Sequence, residues 1–435
     1  MIDSALSAPH TNAQLPVAAR SVRETGLDAT LLTALLLKAA HGGGKTPLPV
    51  LATRLHLSIS VLRELLTPML AQQLVEVAWS GDSDIDVHYQ LTLAGKQAAS
   101  ACMARSRYAG PAPVTLATYC AMVEKQSVRQ PQAQRITPAA LAAALADEGL
   151  APALRDLIGA ALHAQRAMLL HGPSGSGKST LARKLGRLQA GNVVVPHAIL
   201  IGEEIVQFYD PLLHLAPTAL QSRQHDERRL PDLRWQLCQR PAVLVGAELS
   251  ANMLDLRHDG LNGVYYAPPH LQANNGMLIV DDLGRQRMPA AELINRWIGP
   301  LDAGVDHLSL QGGNTATVPF DCTLVFATSL APAALADAAF LRRIAYKIAL
   351  PPLTEDNYLA LLQRTCRARA VTYDAGAAEF LLDRLHGRAH PLLPSYPVEL
   401  LGRIVDFANY AGLAPRLSEE ALTQAWNSLF TEELT

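Results

Sequence analysis

The sequence predicts an α/β fold. It places a parallel sheet between helices, a helical unit C-terminal to it, and a smaller helix-and-hairpin unit N-terminal to it. Three observations carry this reading. The apolar run AMLL (167–170) leads through HGPSGSGK into STLARKLGRL, where Leu181, Leu185 and Leu188 recur at helical spacing. Two more apolar runs, MLIV (277–280) and TLVFA (323–327), end in polar pairs, Asp281-Asp282 and Thr328-Ser329. Strands covered on both faces of a parallel sheet need such unbroken apolar runs. Third, beyond Pro351-Pro352 the chain shows helical periodicity to its end, in TEDNYLALLQRTCRARA, AGAAEFLLDRL, PVELLGRIVDFANYAG and SEEALTQAWNSLF.

Bulk properties bound the function. The chain has 435 residues, 49% apolar and 17% charged, enough for several domains with a sizeable core. Leu and Ala dominate, so one sheet-containing domain in a mainly helical protein is expected. A formal net charge of −2 argues against a nucleic-acid coat or a membrane-surface binder. Cys102, Cys120, Cys238, Cys322 and Cys366 are scattered and odd in number. They have neither metal-ligand nor disulfide spacing, which points to a reducing cytoplasm. The N-terminal MIDSALSAPHTNAQL lacks a basic start and an apolar segment, so no signal peptide is expected. No apolar run reaches the roughly 18 residues of a membrane span, so no membrane insertion is expected.

The glycine-rich stretch is the most specific signal. Residues 172–179, GPSGSGKS, fit G-x-x-x-x-G-K-[ST], the phosphate loop. Glycines let backbone N–H groups converge on phosphate oxygens, and the following helix end adds partial positive charge. The candidate nucleotide-contacting residues are Gly172, Pro173, Ser174, Gly175, Ser176, Gly177, Lys178, Ser179 and Thr180. Lys178 is expected on the β/γ-phosphates and the Ser179 hydroxyl on Mg²⁺. Asp281, at the end of a buried strand, is the candidate metal carboxylate, and Asp282 the candidate activator of the attacking water.

Phosphate loop, acidic strand, polar-ended strand and the pair Arg342-Arg343 occur in an order that resembles the AAA+ ATPases, over roughly residues 150–430. The resemblance implies an αβα core with a helical lid, ATP and Mg²⁺ as cofactors, and a homo-oligomer, most often a hexameric ring. It implies a Walker B pair at Asp281-Asp282, a sensor-1 role for Ser329 with Thr328 beside it, and an arginine finger at Arg343, reaching a neighbouring subunit. Two departures stand out. The family's usual Asp-Glu is Asp-Asp here, which shortens the second side chain by about 1.5 Å. Val398 occupies the usual sensor-2 arginine position, with Arg403 further along as a candidate substitute. LQANNGMLIVDDLG (271–284) and the hairpin pattern in HLSLQGGNTATVPFDCTLVFAT (307–328) resemble the MoxR-like, pre-sensor-1 hairpin branch; no GAFTGA-like loop is found. Lys178 and Asp281 are 103 residues apart, which implies inserted elements, and 221–235 and 247–260 read as solvated inserts.

Residues 21–107 resemble a winged helix, after a disordered tail (1–20) and before a linker with a helix (108–150). The core is expected over 151–352 and the lid over 353–435; residues 332–351 read as helical. Over 1–107 nine basic residues face eight acidic ones, and the wing tip GDSDID carries three aspartates. Phosphate neutralisation drives DNA binding, so a protein contact is expected in preference to nucleic acid. The combined expectation is an ATPase that remodels or assembles a protein partner, with an ATP-dependent DNA-binding regulator and a weakly hydrolysing nucleotide-gated scaffold as alternatives.

Overall fold

The computed structural model describes residues 15–430 apart from 84, 131–134, 190, 218–229, 312 and 336–337. The chain forms an α/β protein of two compact units. One combines the chain up to Arg135 with Gln189–Leu278 and Glu292–Thr323; the other combines Ile136–Leu188, Ile279–Ala291 and the chain from Leu324 on.

The expected sheet is present as five strands in the order Ala242–Val245, Met277–Val280, Thr323–Thr328, Met168–His171, Tyr346–Ala349. Met168–His171 pairs in parallel with Thr323–Thr328 and with Tyr346–Ala349. Met277–Val280 and Thr323–Thr328 are buried along their whole length, as their apolar runs require. Tyr346–Ala349 corrects the helical reading of 332–351. Two short helices, Pro332–Leu335 and Ala338–Arg343, precede it, and the chain then extends. No glycine or proline marks that change after Arg343. The alternation of Tyr346 and Ile348 with Lys347 and Ala349 is the local signal, and pairing with the neighbouring strand decides it.

The C-terminal helices are Glu355–Ala368, Ala375–Gly387, Ser395–Ala411 and Glu419–Leu429. Asp374 and Ser418 cap two of them by accepting from Ala377 N and Ala421 N. They share a core that includes Tyr358, Leu381, Leu400 and Trp426.

In the first unit, helices Ala29–His41, Leu48–Leu55, Ile59–Ala71 and Leu93–Arg105 enclose a leucine-rich core. A three-stranded antiparallel sheet, ordered Thr46–Pro47, Val87–Leu91, Val75–Ser80, accompanies them. A second core contradicts the solvated-insert reading. Strands Arg257–Asp259, Val264–Tyr266, Glu204–Gln207, Ala198–Ile201 and Val114–Thr115 form one sheet, and Asn192–Pro196 pairs with Trp235–Gln239. Leu249 and Leu254, inside the expected insert 247–260, are buried. In the other expected insert, residues 221–229 lie outside the described residues. Trp235 is buried, and so are Asp232 and Arg234, which pair at 2.8 Å. Arg234 Nη1 also donates to the Thr25 carbonyl at 3.1 Å. Within the expected linker, Leu116–Gln126 is a helix that the sequence reading missed. Of the expected disordered tail, residues 1–14 lie outside the described residues. Residues 16–18 pair with 230–232, through Asp232 N to Pro16 O at 2.7 Å and Ala18 N to Leu230 O at 3.0 Å.

The hairpin expected before the sensor-1 strand is Val305–Ser309 with Thr315–Pro319. Leu308, Ala316 and Val318 pack into the second core. Ser309 N donates to Asp255 Oδ1 at 2.7 Å and Gln311 N to the Tyr265 hydroxyl at 3.0 Å, so the hairpin lies fastened along that sheet.

Candidate functional site

The glycine-rich loop joins Met168–His171 to helix Lys178–Arg187. Gly177 caps that helix at φ +86°, a left-handed conformation that favours glycine, and no side chain caps the helix start. The first N–H groups of the helix therefore face the loop as donors with partial positive charge. Gly175, at φ +82°, has a second reason to be glycine: a Cβ there would come within 2.4 Å of Ser395 Oγ. Ser395 opens the helix Ser395–Ala411, and its N–H donates to the Gly175 carbonyl at 3.2 Å. The helical unit thus touches the loop directly.

Lys178 Nζ folds back onto the loop, donating to Gly172 O at 3.0 Å and Pro173 O at 2.7 Å, with Ser176 Oγ at 3.4 Å. Burial pulls its ammonium below the ordinary lysine value, and the Asp282 and Asp281 carboxylates oppose that. Burial, then Lys178 itself, likewise lowers the neighbouring His171. Ser179 Oγ donates to Asp281 Oδ1 at 2.7 Å. Arg183 Nη2, one helical turn beyond Ser179, lies 3.7 Å from Asp281 Oδ2. Asp282 N donates to Asp281 Oδ1 at 3.0 Å, and Asp282 itself is exposed with φ +50°. The structure therefore brings Lys178, Ser179, Asp281 and Asp282 together from segments about a hundred residues apart.

The remaining candidates are placed differently. Pro173, Ser174 and Thr180 are exposed on the loop and the first helical turn. Thr328 is fully buried, and its hydroxyl is committed to backbone: Oγ1 donates to Leu283 O at 2.8 Å and accepts from Leu330 N at 3.1 Å. That arrangement removes Thr328 as an orienter of water. Ser329, one residue past the strand, is half-buried. Arg342 and Arg343 end helix Ala338–Arg343 and are exposed, and Lys347 Nζ closes the next turn on Leu341 O and Ile344 O. Arg403 turns back on its own helix, donating to Glu399 O at 3.1 Å.

A cleft of about 220 Å³ opens beside the loop, lined by Gly149, Ser176, Thr180, Asn357, Arg364 and Val398 among others. Asn357 Nδ2 donates to Gly149 O at 3.1 Å, Arg364 Nη1 lies 3.3 Å from Asp147 Oδ1, and Lys184 pairs with Glu148. Sequence reasoning missed Gly149, Asn357, Arg364, Asp147, Lys184 and Glu148, and missed Arg183 too. Only Arg183 carried a signal, its i+4 spacing from Ser179.

Residues 354–428 match a family model described as a domain of unknown function (DUF8689). No curated protein matches the chain by sequence. Among solved structures, the chain is similar to the Thermotoga maritima RuvB Holliday junction branch migration motor, with 16% identity over 64% of this chain and 67% of that one, at a TM-score of 0.35. It is also similar to NtrX from Brucella abortus, with 15% identity over 62% and 52%, at a TM-score of 0.40. For NtrX in complex with ATP the figures are 15% identity, 71% of each chain and a TM-score of 0.34. At these scores the likenesses add nothing to what the strand order and the site geometry support.

Proposed function

We propose that this chain is an AAA+-like ATPase that binds ATP with Mg²⁺ at the glycine-rich loop, and that it works as a homo-oligomer, most simply a hexameric ring, to remodel or assemble a partner protein. The observation that carries the reading is the 2.7 Å bond from Ser179 to Asp281, made directly under a loop closed by Lys178. The strand order supports it, with the acidic strand and the loop strand flanking Thr323–Thr328. The donor set fits the metal. A hydroxyl and a carboxylate oxygen meet at one point, and Mg²⁺ takes one or two such protein ligands beside phosphates and waters. When bound there, Mg²⁺ neutralises charge on the terminal phosphates.

The chain's own residues divide the remaining work. Lys178 exchanges two loop carbonyls for phosphate oxygens. The helix N-terminus and the loop N–H groups hold the phosphates. Asp282, exposed beside them, accepts hydrogen bonds from the attacking water. Ser329 orients that water, and Arg343 serves a neighbouring subunit's site. Asp282 in place of glutamate favours one second reading, a scaffold that binds ATP and turns it over slowly.

The partner is expected at the N-terminal unit, whose paired helices and hairpin support the winged-helix reading. Trp235, Trp297 and Trp426 are at most 3% exposed, whereas Trp79 on the edge strand Val75–Ser80 is 50% exposed. An exposed tryptophan between acidic residues suits a protein contact rather than a phosphate backbone. The reading is tested by the ATPase rate per subunit against protein concentration, with sizing in ATP, for wild type and Arg343→Ala. A rate that climbs with concentration and collapses in Arg343→Ala, with ATP binding retained, is expected. A negligible rate with tight ATP binding would replace the motor with the scaffold.

A further inference from the structure

We infer that Gln286 is a positioning residue for the hydrolytic step: its side-chain amide holds the left-handed turn at Asp282 that keeps this short carboxylate beside the loop. The inference rests on the ATPase reading above.

After the strand Met277–Val280 ends, Asp281 turns inward to Ser179. Successive side chains of an extended chain point to opposite faces. In that conformation Asp282 would face away from the loop. Instead it adopts φ +50°, a left-handed conformation that aspartate tolerates better than most residues with a Cβ and that local hydrogen bonds can fix. Those bonds come from Gln286. Its Nε2 donates to Asp281 O at 2.9 Å and to Asp282 O at 3.2 Å, and its Oε1 accepts from Gly284 N at 2.8 Å. One amide thus binds the carbonyls of Asp281 and Asp282 and the N–H of Gly284. Arg285 N adds a backbone bond to Asp282 O at 2.9 Å.

The brace matters because the side chain is aspartate. A glutamate has an extra torsion and about 1.5 Å more reach with which to find the water. An aspartate goes where its backbone puts it. Small misplacements of a catalytic group cost large factors in rate.

The test is steady-state ATPase kinetics of the full chain for wild type, Gln286→Ala, Gln286→Glu, Asp282→Glu and the double variant Gln286→Ala/Asp282→Glu. Affinity for a fluorescent ATP analogue and melting temperature are measured on each. Gln286→Glu keeps the acceptor but loses both donated bonds, so it should behave like Gln286→Ala. Both should lose roughly tenfold or more in kcat while binding the analogue within twofold of wild type. In the Asp282→Glu background, removing Gln286 should cost much less. Three results would overturn the inference while leaving the ATPase reading intact: unchanged kcat in Gln286→Ala, a parallel loss of nucleotide binding or folding, or an equal penalty in the Asp282→Glu background. A wild type without turnover at any protein concentration would instead sink the ATPase reading, and this inference with it.

Discussion

Asp281 and Asp306 are both buried, at 8% and 2% exposure, so burial does not distinguish them; their partners do. Asp306, on the first strand of the hairpin, accepts two bonds from Arg296, at 2.6 and 2.8 Å, and lies 2.8 Å from His270 Nε2. Its Oδ1 also accepts from His307 N at 2.8 Å. Every acceptor direction on that carboxylate is in use by a neighbour, two of them by the Arg296 guanidinium. Asp281 accepts from a neutral hydroxyl and one backbone N–H, and its nearest cation, the half-exposed Arg183, stands off at 3.7 Å. A carboxylate with unused lone pairs can take a metal, while a saturated one can only hold its neighbours in place. The hairpin carboxylate is fully partnered within the protein, and the loop carboxylate is not.

The largest effect should come from opening the complete cluster. Arg296→Ala leaves Asp306 buried with only His270 and the His307 N–H, and removing one partner of a buried pair costs about 3–5 kcal/mol. Urea denaturation of the full chain should show that loss, whereas Asp281→Asn should cost under about 1 kcal/mol and abolish Mg²⁺-dependent nucleotide binding. Equal losses in the two variants would erase the distinction. Next in size, Lys178→Ala should weaken ATP binding by about 100-fold, in line with other lost phosphate-stabilising donors. The readout is the ATP-induced rise in melting temperature, which should vanish at ATP levels that stabilise wild type. An undiminished rise would remove Lys178 from the site.

A smaller effect is the pH dependence contributed by Asp306. Burial raises the Asp306 carboxyl, but the bonds from His270 and Arg296 outweigh it and bring it from 3.8 to about 2. A depressed folded-state value means that the stabilisation is present above the unfolded value and is lost as pH falls through the folded one. The contribution, about 2 kcal/mol, should therefore be whole above pH 4 and fade between pH 4 and pH 2. Stability against pH should flatten over that interval in Asp306→Asn. An unchanged acid limb in that variant would mean that Asp306 is not held as described.

What could be read from the sequence follows the range of the forces. The phosphate loop, the strands ending at Val280 and Thr328 and the C-terminal helices were legible because each is set by neighbours a few residues away. The sheet around Ala198–Ile201 was not. Its strands are two to four residues long, and Val114 finds its partner Ile199 eighty-five residues downstream. Asn274 and Asn275 show the same limit within a motif that was noticed. Both are buried structural clamps: Asn274 Nδ2 donates to Pro319 O at 2.8 Å and Asn275 Nδ2 to Asp321 Oδ2 at 2.7 Å. The motif contained them, but only the distant partners reveal what they hold. At the site, Lys178 and Asp281 could be named from local pattern, whereas the commitment of Thr328 to Leu283 could not.

The smallest expected effect concerns the N-terminal hairpin. Trp79 is half exposed and packs edge-on against His88 at 5.0 Å between ring centroids, so Trp79→Ala should change stability by no more than about 0.5 kcal/mol. Natural exposed tryptophans are uncommon for good reason, since solvent penalises their apolar surface. On the proposed reading a protein partner covers this edge-strand tryptophan, beside Asp82 and Asp86 at the tip. If that partner were duplex DNA, affinity would rest on phosphate contacts and fall steeply with salt. The exposed face of helix Ile59–Ala71 offers Arg63 beside Glu64, and Glu64 already accepts from Val22 N at 2.8 Å. Fluorescence anisotropy with random-sequence duplex should therefore show no salt-sensitive binding between 50 and 200 mM salt, for wild type and Trp79→Ala alike. Salt-dependent binding that Arg63→Ala weakens would move the partner from protein to nucleic acid. It would also make this hairpin, like the loop, a place left electrostatically open for a ligand.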